Sequence, residues 1–139
     1  VRGLGVVPNT VRNELVSNLD LVATIVELSG AHPGRLLDGR SLVPLLRGDL
    51  VPWRSELLIE GRASSLEFWA GVQTRTAKYI ETGPARFPEF YDHFSSGELV
   101  NLAFTPGRAA PYVEYLKGRL QALSACAGET CWSAGGLIP

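Results

Sequence analysis

The chain has 139 residues, 45% of them hydrophobic and 19% charged, and its 13 Lys plus Arg against 14 Asp plus Glu give a formal net charge of -1. That length supports a proper hydrophobic core, and the near-neutral charge excludes a long-range field that would gather nucleic acid or an anionic membrane surface. No apolar run approaches the roughly twenty residues a bilayer span needs, and the start at Val1 has no signal-peptide pattern; its loop-like opening reads as a cut from something longer.

Residues 1–18, with glycine, proline and asparagine at short intervals, read as loop with a short extended piece near Leu15 and Val16. A helix follows. Asn18 is placed to cap it, Asp20 puts negative charge in its first turn, Leu21, Ile25 and Leu28 recur at helical spacing, and Gly30 supplies the stop. Val22 and Val26 widen the stripe, so the helix is expected to be largely buried against a larger body. After the loop HPGRLLDG, Ser41 can cap a short helix carrying Leu42, Leu45 and Leu46. Pro44 is tolerated in its first turn, and Gly48 closes it.

Near Trp53 the helical period gives way to sheet-like pieces: SELLIE, EFWAGVQT, AKYIET and PEFYDHF. Their connections are too short for parallel crossovers, so an antiparallel meander is expected, with a tight turn between the second and third that has neither glycine nor asparagine. The run APYVEYLKGRLQALSAC then places Tyr112, Val113, Leu116, Leu120 and Leu123 on one helical face, and Gly118 weakens that helix by about 1 kcal/mol relative to alanine. The expected fold class is α+β: a small antiparallel four-stranded sheet packed by a long C-terminal helix, preceded by the trailing helices of an α/β domain. Residues 1–52 are the expected trailing segment of that domain, and 53–139 the sheet-and-helix subdomain.

Cys126 and Cys131 enclose only AGET and are the whole cysteine content of the chain. A bridge between them is expected to add about 2 kcal/mol by closing a short loop, and it favours a secreted or periplasmic setting. Trp132, beyond it, is expected in a less ordered tail.

Catalytic chemistry finds little to use. His32 and His93 lack a second imidazole or a carboxylate pattern at ligand spacing, and Ser95 and Ser96 fall in a turn without the strand-to-helix elbow that activates a serine. The RGLG stretch lacks the strand and third glycine of a phosphate loop. No catalytic residue and no metal ligand is assigned. Glu56 and Glu60 flank the LLI run and read as the solvated ends of a strand, with Glu67 on the next piece. Glu60 is still a substrate-pocket candidate, because EGR leaves the strand at an edge where the pocket of a larger domain could lie. Arg75 and Lys78, on or beside a hairpin, are the other pocket candidates, as cations able to touch an anionic substrate.

Taken in order, SNLDLVATIVELSGA, DGRSLVPLLRG, the Trp53-Arg54 pair, LLIEGR, AGVQTRTAKYI and FYDHFSSGELVNLA resemble the C-terminal part of the sulfatases of the alkaline-phosphatase-like superfamily, over about 85 positions. Ala23, Gln73 and Ala77 depart from the family's usual proline, arginine and tyrosine, so no substrate contact is carried over to position 73. The resemblance implies a non-catalytic part of a sulfuric ester hydrolase, inactive alone, that completes the fold and one wall of the substrate pocket. It also implies that the formylglycine and the calcium ligands belong to a missing upstream catalytic domain, which is this chain's expected partner. Without that domain, the apolar helix surface is expected to drive self-association. The alternatives are a fragment of a related phosphodiesterase or phosphomutase, or a structural or interaction module with no enzymatic role.

Overall fold

The computed structural model describes residues 1–62, 67–95, 97–107 and 109–138, with the backbone alone at 109, 129, 137 and 138. Ser96, named above among the candidate serines, lies outside the described residues. Two compact units result, one of residues 1–55 with 126–139 and the other of residues 56–125. The expected division after residue 52 differs in two ways: Trp53 and Arg54 lie in the first unit, and the tail returns to it.

In the first unit, α1 (Asn18–Ser29) begins at Ser17, not at Asn18. The Ser17 hydroxyl accepts the Leu19 N–H at 3.1 Å, and the Asp20 carboxylate reaches back to the Ser17 N–H at 2.8 Å. This reciprocal arrangement satisfies two first-turn amides, which the shorter reach from Asn18 would not. Gly30 ends the helix as read. Its buried residues are Asp20, Ala23 and Thr24, while Leu21, Val22, Ile25 and Leu28 are each at least half exposed. The apolar stripe is therefore not buried within this chain, and a polar face points inward instead.

The short helix α2 (Val43–Arg47) starts at Leu42 without a side-chain cap, although the Ser41 hydroxyl accepts the Val43 N–H at 3.2 Å, and it ends at Gly48. Leu42, Leu45 and Trp53 form a small core with Leu46 against it, and the Trp53 indole N–H donates to the Leu15 carbonyl at 2.8 Å. Two-residue strands β1 (Trp53–Arg54) and, near the end of the chain, β6 (Leu137–Ile138) pair antiparallel. The tail is thus ordered by pairing and by α4 (Glu129–Ala134), which contains Trp132.

The second unit is the expected meander. Strands β2 (Glu56–Arg62), β3 (Phe68–Thr74), β4 (Ala77–Thr82) and β5 (Phe87–Asp92) pair in chain order, all antiparallel. The β3–β4 turn manages without glycine or asparagine because the Thr74 hydroxyl accepts the N–H of Ala77 at 2.9 Å and of Thr76 at 3.2 Å. Along β4, Ala77, Tyr79 and Glu81 are buried and the residues between them half-buried, the period-two pattern of a sheet covered on one face. The cover is α3 (Ala109–Ser124), which buries Val113, Leu116, Leu120 and Leu123. Burying each leucine contributes on the order of 1.5–3 kcal/mol. Phe90 meets Tyr112 edge-to-face at 5.7 Å between ring centroids.

Candidate functional site

The first unit is organised by one carboxylate. Asp20 is fully buried and accepts four N–H groups: Ser17 N at 2.8 Å, Arg40 N at 2.8 Å, and both terminal nitrogens of Arg54, at 2.8 and 3.0 Å. The Arg54 fork is bidentate, the geometry that best compensates a buried pair. One turn on, the Thr24 hydroxyl accepts the Leu42 N–H at 2.8 Å and donates to the Asp20 carbonyl at 2.6 Å. The inner face of α1 thus reads the backbone of the 39–42 loop. Gly39 permits the approach, since a Cβ there would lie 2.3 Å from the Leu19 carbonyl oxygen. Arg40 lies between two indoles, 5.7 Å from the Trp53 ring centre and 5.5 Å from that of Trp132. Burial, and then the Arg54 cation, draw its pKa below the ordinary arginine value.

In the second unit Glu56 is buried, not a solvated strand end. It accepts the Tyr115 hydroxyl at 2.6 Å and Arg119 Nε at 2.6 Å, fastening α3 to the first residue of β2. Glu81 is buried too, taking the Tyr79 hydroxyl at 3.0 Å and Arg86 at 3.1 Å. It lies on a cleft of about 720 Å³ lined also by Phe68, Leu120 and Ser124, but with both oxygens engaged it offers no free general base.

The three pocket candidates do not meet. Glu60 is exposed opposite Ala70, toward the far end of β3 from Arg75, which is exposed in the two-residue turn. The five residue steps from Ala70 to Arg75 span roughly 16 Å at strand rise. Lys78 pairs in register with Gln73 and Tyr91, so it stands on the sheet face opposite to buried Tyr79, whereas Glu60 shares the row of Ala70 and Glu81 on the helix-covered face. Lys78 forms an ion pair with Glu98, whose carboxyl it holds below the usual range, and His93 Nε2 lies 3.7 Å from the same carboxylate. His32 is exposed, and Ser95 is exposed in the turn after β5. Among the described residues, no group of three or more His, Cys, Asp or Glu is placed to hold a metal ion.

What sequence reasoning missed are the two buried polar hubs. Asp20 to Arg54 spans 34 residues and Glu56 to Arg119 spans 63, beyond any local pattern. The only local hint was a helix whose apolar stripe left an acid and a threonine for its other face.

Three tyrosines of the second unit titrate high. The Tyr79 hydroxyl is raised by burial and then by its bond to Glu81, Tyr91 is pushed up to about 12 mainly by its bond to Glu89, and Tyr115 is raised mainly by its bond to Glu56. A phenol raised in the folded state stabilises fully below its ordinary value near 10 and is withdrawn as pH climbs through the folded value. Urea midpoints of the second unit are therefore expected to hold between pH 8 and about 10 and to fall above that. Tyr115→Phe should lower the pH 8 midpoint and shrink the alkaline drop; an unchanged drop would show that the Tyr115–Glu56 bond does not contribute.

Known proteins resemble the chain in sequence over part of its length and in fold. No family model matches the chain. Human N-acetylglucosamine-6-sulfatase is 44% identical over 62 residues, covering 43% of this chain, and a Drosophila melanogaster extracellular sulfatase SULF-1 homolog is 37% identical over 81 residues, covering 54%. The segment is sulfatase-like. It spans only 11% and 7% of those relatives' lengths. Among solved structures, a phosphonate monoester hydrolase from Silicibacter pomeroyi aligns over 93% of this chain and 29% of its own, with a TM-score of 0.78 at 24% identity. A 2-O GAG sulfatase aligns over 88% of this chain and 28% of its own, with a TM-score of 0.72 at 23% identity. At such identity the structural likeness speaks to the fold alone, and it supports the α+β sulfatase-like fold of a four-stranded antiparallel sheet with its helix. Among the described residues, no helix is long and apolar enough to cross a membrane.

Proposed function

We propose that this chain is the C-terminal, non-catalytic part of a sulfuric ester hydrolase, and that it completes the fold of an upstream catalytic domain that supplies the formylglycine and the calcium site. The observation that carries this reading is the 44% identity to a sulfatase over 62 residues, combined with the buried carboxylates Asp20, Glu56 and Glu81, each engaged in structural bonds. The phosphonate hydrolase likeness supports only the fold, so it does not favour phosphorus chemistry. The bridged Cys126 and Cys131, together with the extracellular naming of one relative, support a secreted or periplasmic location.

The outward face of α1 is the surface proposed to meet the upstream domain. Leu21, Val22, Ile25 and Leu28 form an exposed apolar strip next to Leu36, larger in side-chain bulk than a solvated helix needs. In isolation the same strip would drive self-association, visible as a concentration-dependent sedimentation coefficient. Glu60, Arg75 and Lys78 are separate surface positions, so no more than one or two of them would line any single pocket wall.

The test compares the isolated chain with the longer gene product, using an aryl sulfate and a phosphonate monoester as substrates. The isolated chain should turn over neither, and the longer protein should prefer the sulfate. Ile25→Glu should change the stability of the isolated chain by less than about 0.5 kcal/mol, while destabilising the longer protein by several-fold more through a charge buried at the junction. Turnover by the isolated chain, abolished by one substitution within it, would overturn the non-catalytic assignment. Equal indifference of both proteins to Ile25→Glu would overturn the docking face.

A further inference from the structure

The end of the first unit is held by a device whose parts come from distant stretches of sequence. α4 has six residues, begins at Gly128 with no side-chain cap, and is far below the length at which a helix is stable on its own. What fixes its first turn is the Cys126–Cys131 bridge, with a Cα separation of 4.9 Å, aided by the Thr130 hydroxyl, which accepts the Ala127 N–H at 2.9 Å. The bridged turn presents two donors to a single residue: Gly128 N–H to the Asp38 carboxylate at 2.6 Å, and the Trp132 indole N–H to the Asp38 carbonyl at 3.2 Å. In return, Arg40 donates to the Trp132 carbonyl at 3.2 Å and lies over the Trp132 ring. Gly128 has φ +56, a backbone that other residues rarely adopt, and a Cβ there would lie 3.1 Å from the Leu36 side chain. The bridge therefore holds a turn that only glycine fits against residues 36–40, and the next step of the same network is the Arg40 N–H on Asp20.

We propose that Cys126–Cys131 is a redox-sensitive clasp on the Asp38–Arg40 segment. Both cysteines are half-exposed and so within reach of a dithiol. A thiolate of the dithiol attacks one sulfur and the second thiol resolves the mixed disulfide. Two electrons and two protons pass to the cysteines, which become thiols, and the dithiol leaves as its cyclic disulfide. With closure lost, the turn at Gly128 is no longer fixed, Asp38 loses both donors and Trp132 lifts from Arg40. The Asp20–Arg54 pair stays, because its two side chains bond to each other and to the Ser17 and Arg40 N–H groups, and none of those bonds goes to α4.

The experiment is amide hydrogen exchange on the whole chain, oxidised and after reduction by dithiothreitol, with complete reduction verified by alkylation and intact mass. Loss of closure over so short a loop corresponds to an increase on the order of 40-fold in opening. That increase is expected at Gly128 and across α4, with little change at Leu42, whose amide is held by Thr24, or at Val72 in the second unit. Asp38→Ala in the oxidised chain should raise exchange at Gly128 with the bridge intact, and reduction should then add less than it does to the parent. Unchanged exchange at Gly128 in the fully reduced chain would overturn the proposal. So would an equal rise at Leu42, because the bridge would then be a staple for the whole unit. The Cys126→Ser/Cys131→Ser variant should reproduce the reduced pattern without reductant, and a pattern like that of the oxidised parent would equally sink it.

Discussion

Asp20→Ala is expected to destabilise the first unit by about 3–5 kcal/mol, the range for removing one partner of a buried ion pair. The carboxylate takes four N–H groups, and two of them belong to an Arg54 side chain that is itself buried. Truncation leaves that guanidinium in a low-dielectric site with the face of Trp53, 5.4 Å away, for compensation. Asp20→Asn should be nearly as severe: it keeps the shape but removes the charge and turns one acceptor into a donor facing donors. The double variant Asp20→Leu/Arg54→Met should recover most of the loss, since replacing both ions with apolar groups of similar volume is often neutral. Urea unfolding in a Trp69→Phe background, where Trp53 and Trp132 report on the first unit, measures all three against the parent. A cost below about 1 kcal/mol for Asp20→Ala would mean that water reaches Arg54 and that the pair is not the hub of the unit.

The same pair marks where sequence reading stops. The four strands and α3 were legible because their apolar periods match partners within the chain: Ala77, Tyr79 and Glu81 alternate inward, and Val113, Leu116, Leu120 and Leu123 recur on one face. The extent of α1 was legible too, but its orientation was not. Leu21, Ile25 and Leu28 predict a buried side, yet the chain buries Asp20, Ala23 and Thr24. A period fixes the phase of a helix relative to an apolar partner, and among the described residues none covers that stripe. The inward face is chosen instead by hydrogen bonds to the 39–42 loop, which leave no trace in hydrophobic spacing. Trp132 and the β1–β6 pair escaped for a related reason: two-residue strands and a six-residue helix carry too few residues for any period, and their order comes from Asp38, Arg40 and the bridge. Glu56 was misread because alternation says which side of a strand a residue takes, not whether Arg119 waits there. The pocket candidates stand apart because order along a meander says nothing of the face: Glu60 and Lys78 differ by the parity of their register.

Leu116→Ala is expected to cost the second unit about 2–5 kcal/mol, through lost burial and the cavity left behind. Leu116 has no exposed surface and sits at the middle of the only helix covering the sheet among the described residues. Its neighbour Lys117 is exposed, and Lys117→Ala should stay within about 0.5 kcal/mol, so the pair of variants tests which face of α3 meets the strands. Comparable costs would mean that the helix is not seated as described. A second consequence follows from position: Tyr115 and Arg119 lie on either side of Leu116 in sequence, and both reach Glu56 at 2.6 Å. Those bonds need α3 held at one height over β2, and the leucine supplies the packing that holds it. If Leu116→Ala loosens the helix, the Tyr115 hydroxyl should lose part of its carboxylate partner, and its titration should fall toward the ordinary value near 10. A phenol titration that stays high in a destabilised variant would instead show that the Glu56 bonds anchor α3 by themselves, with the core contributing stability but not position.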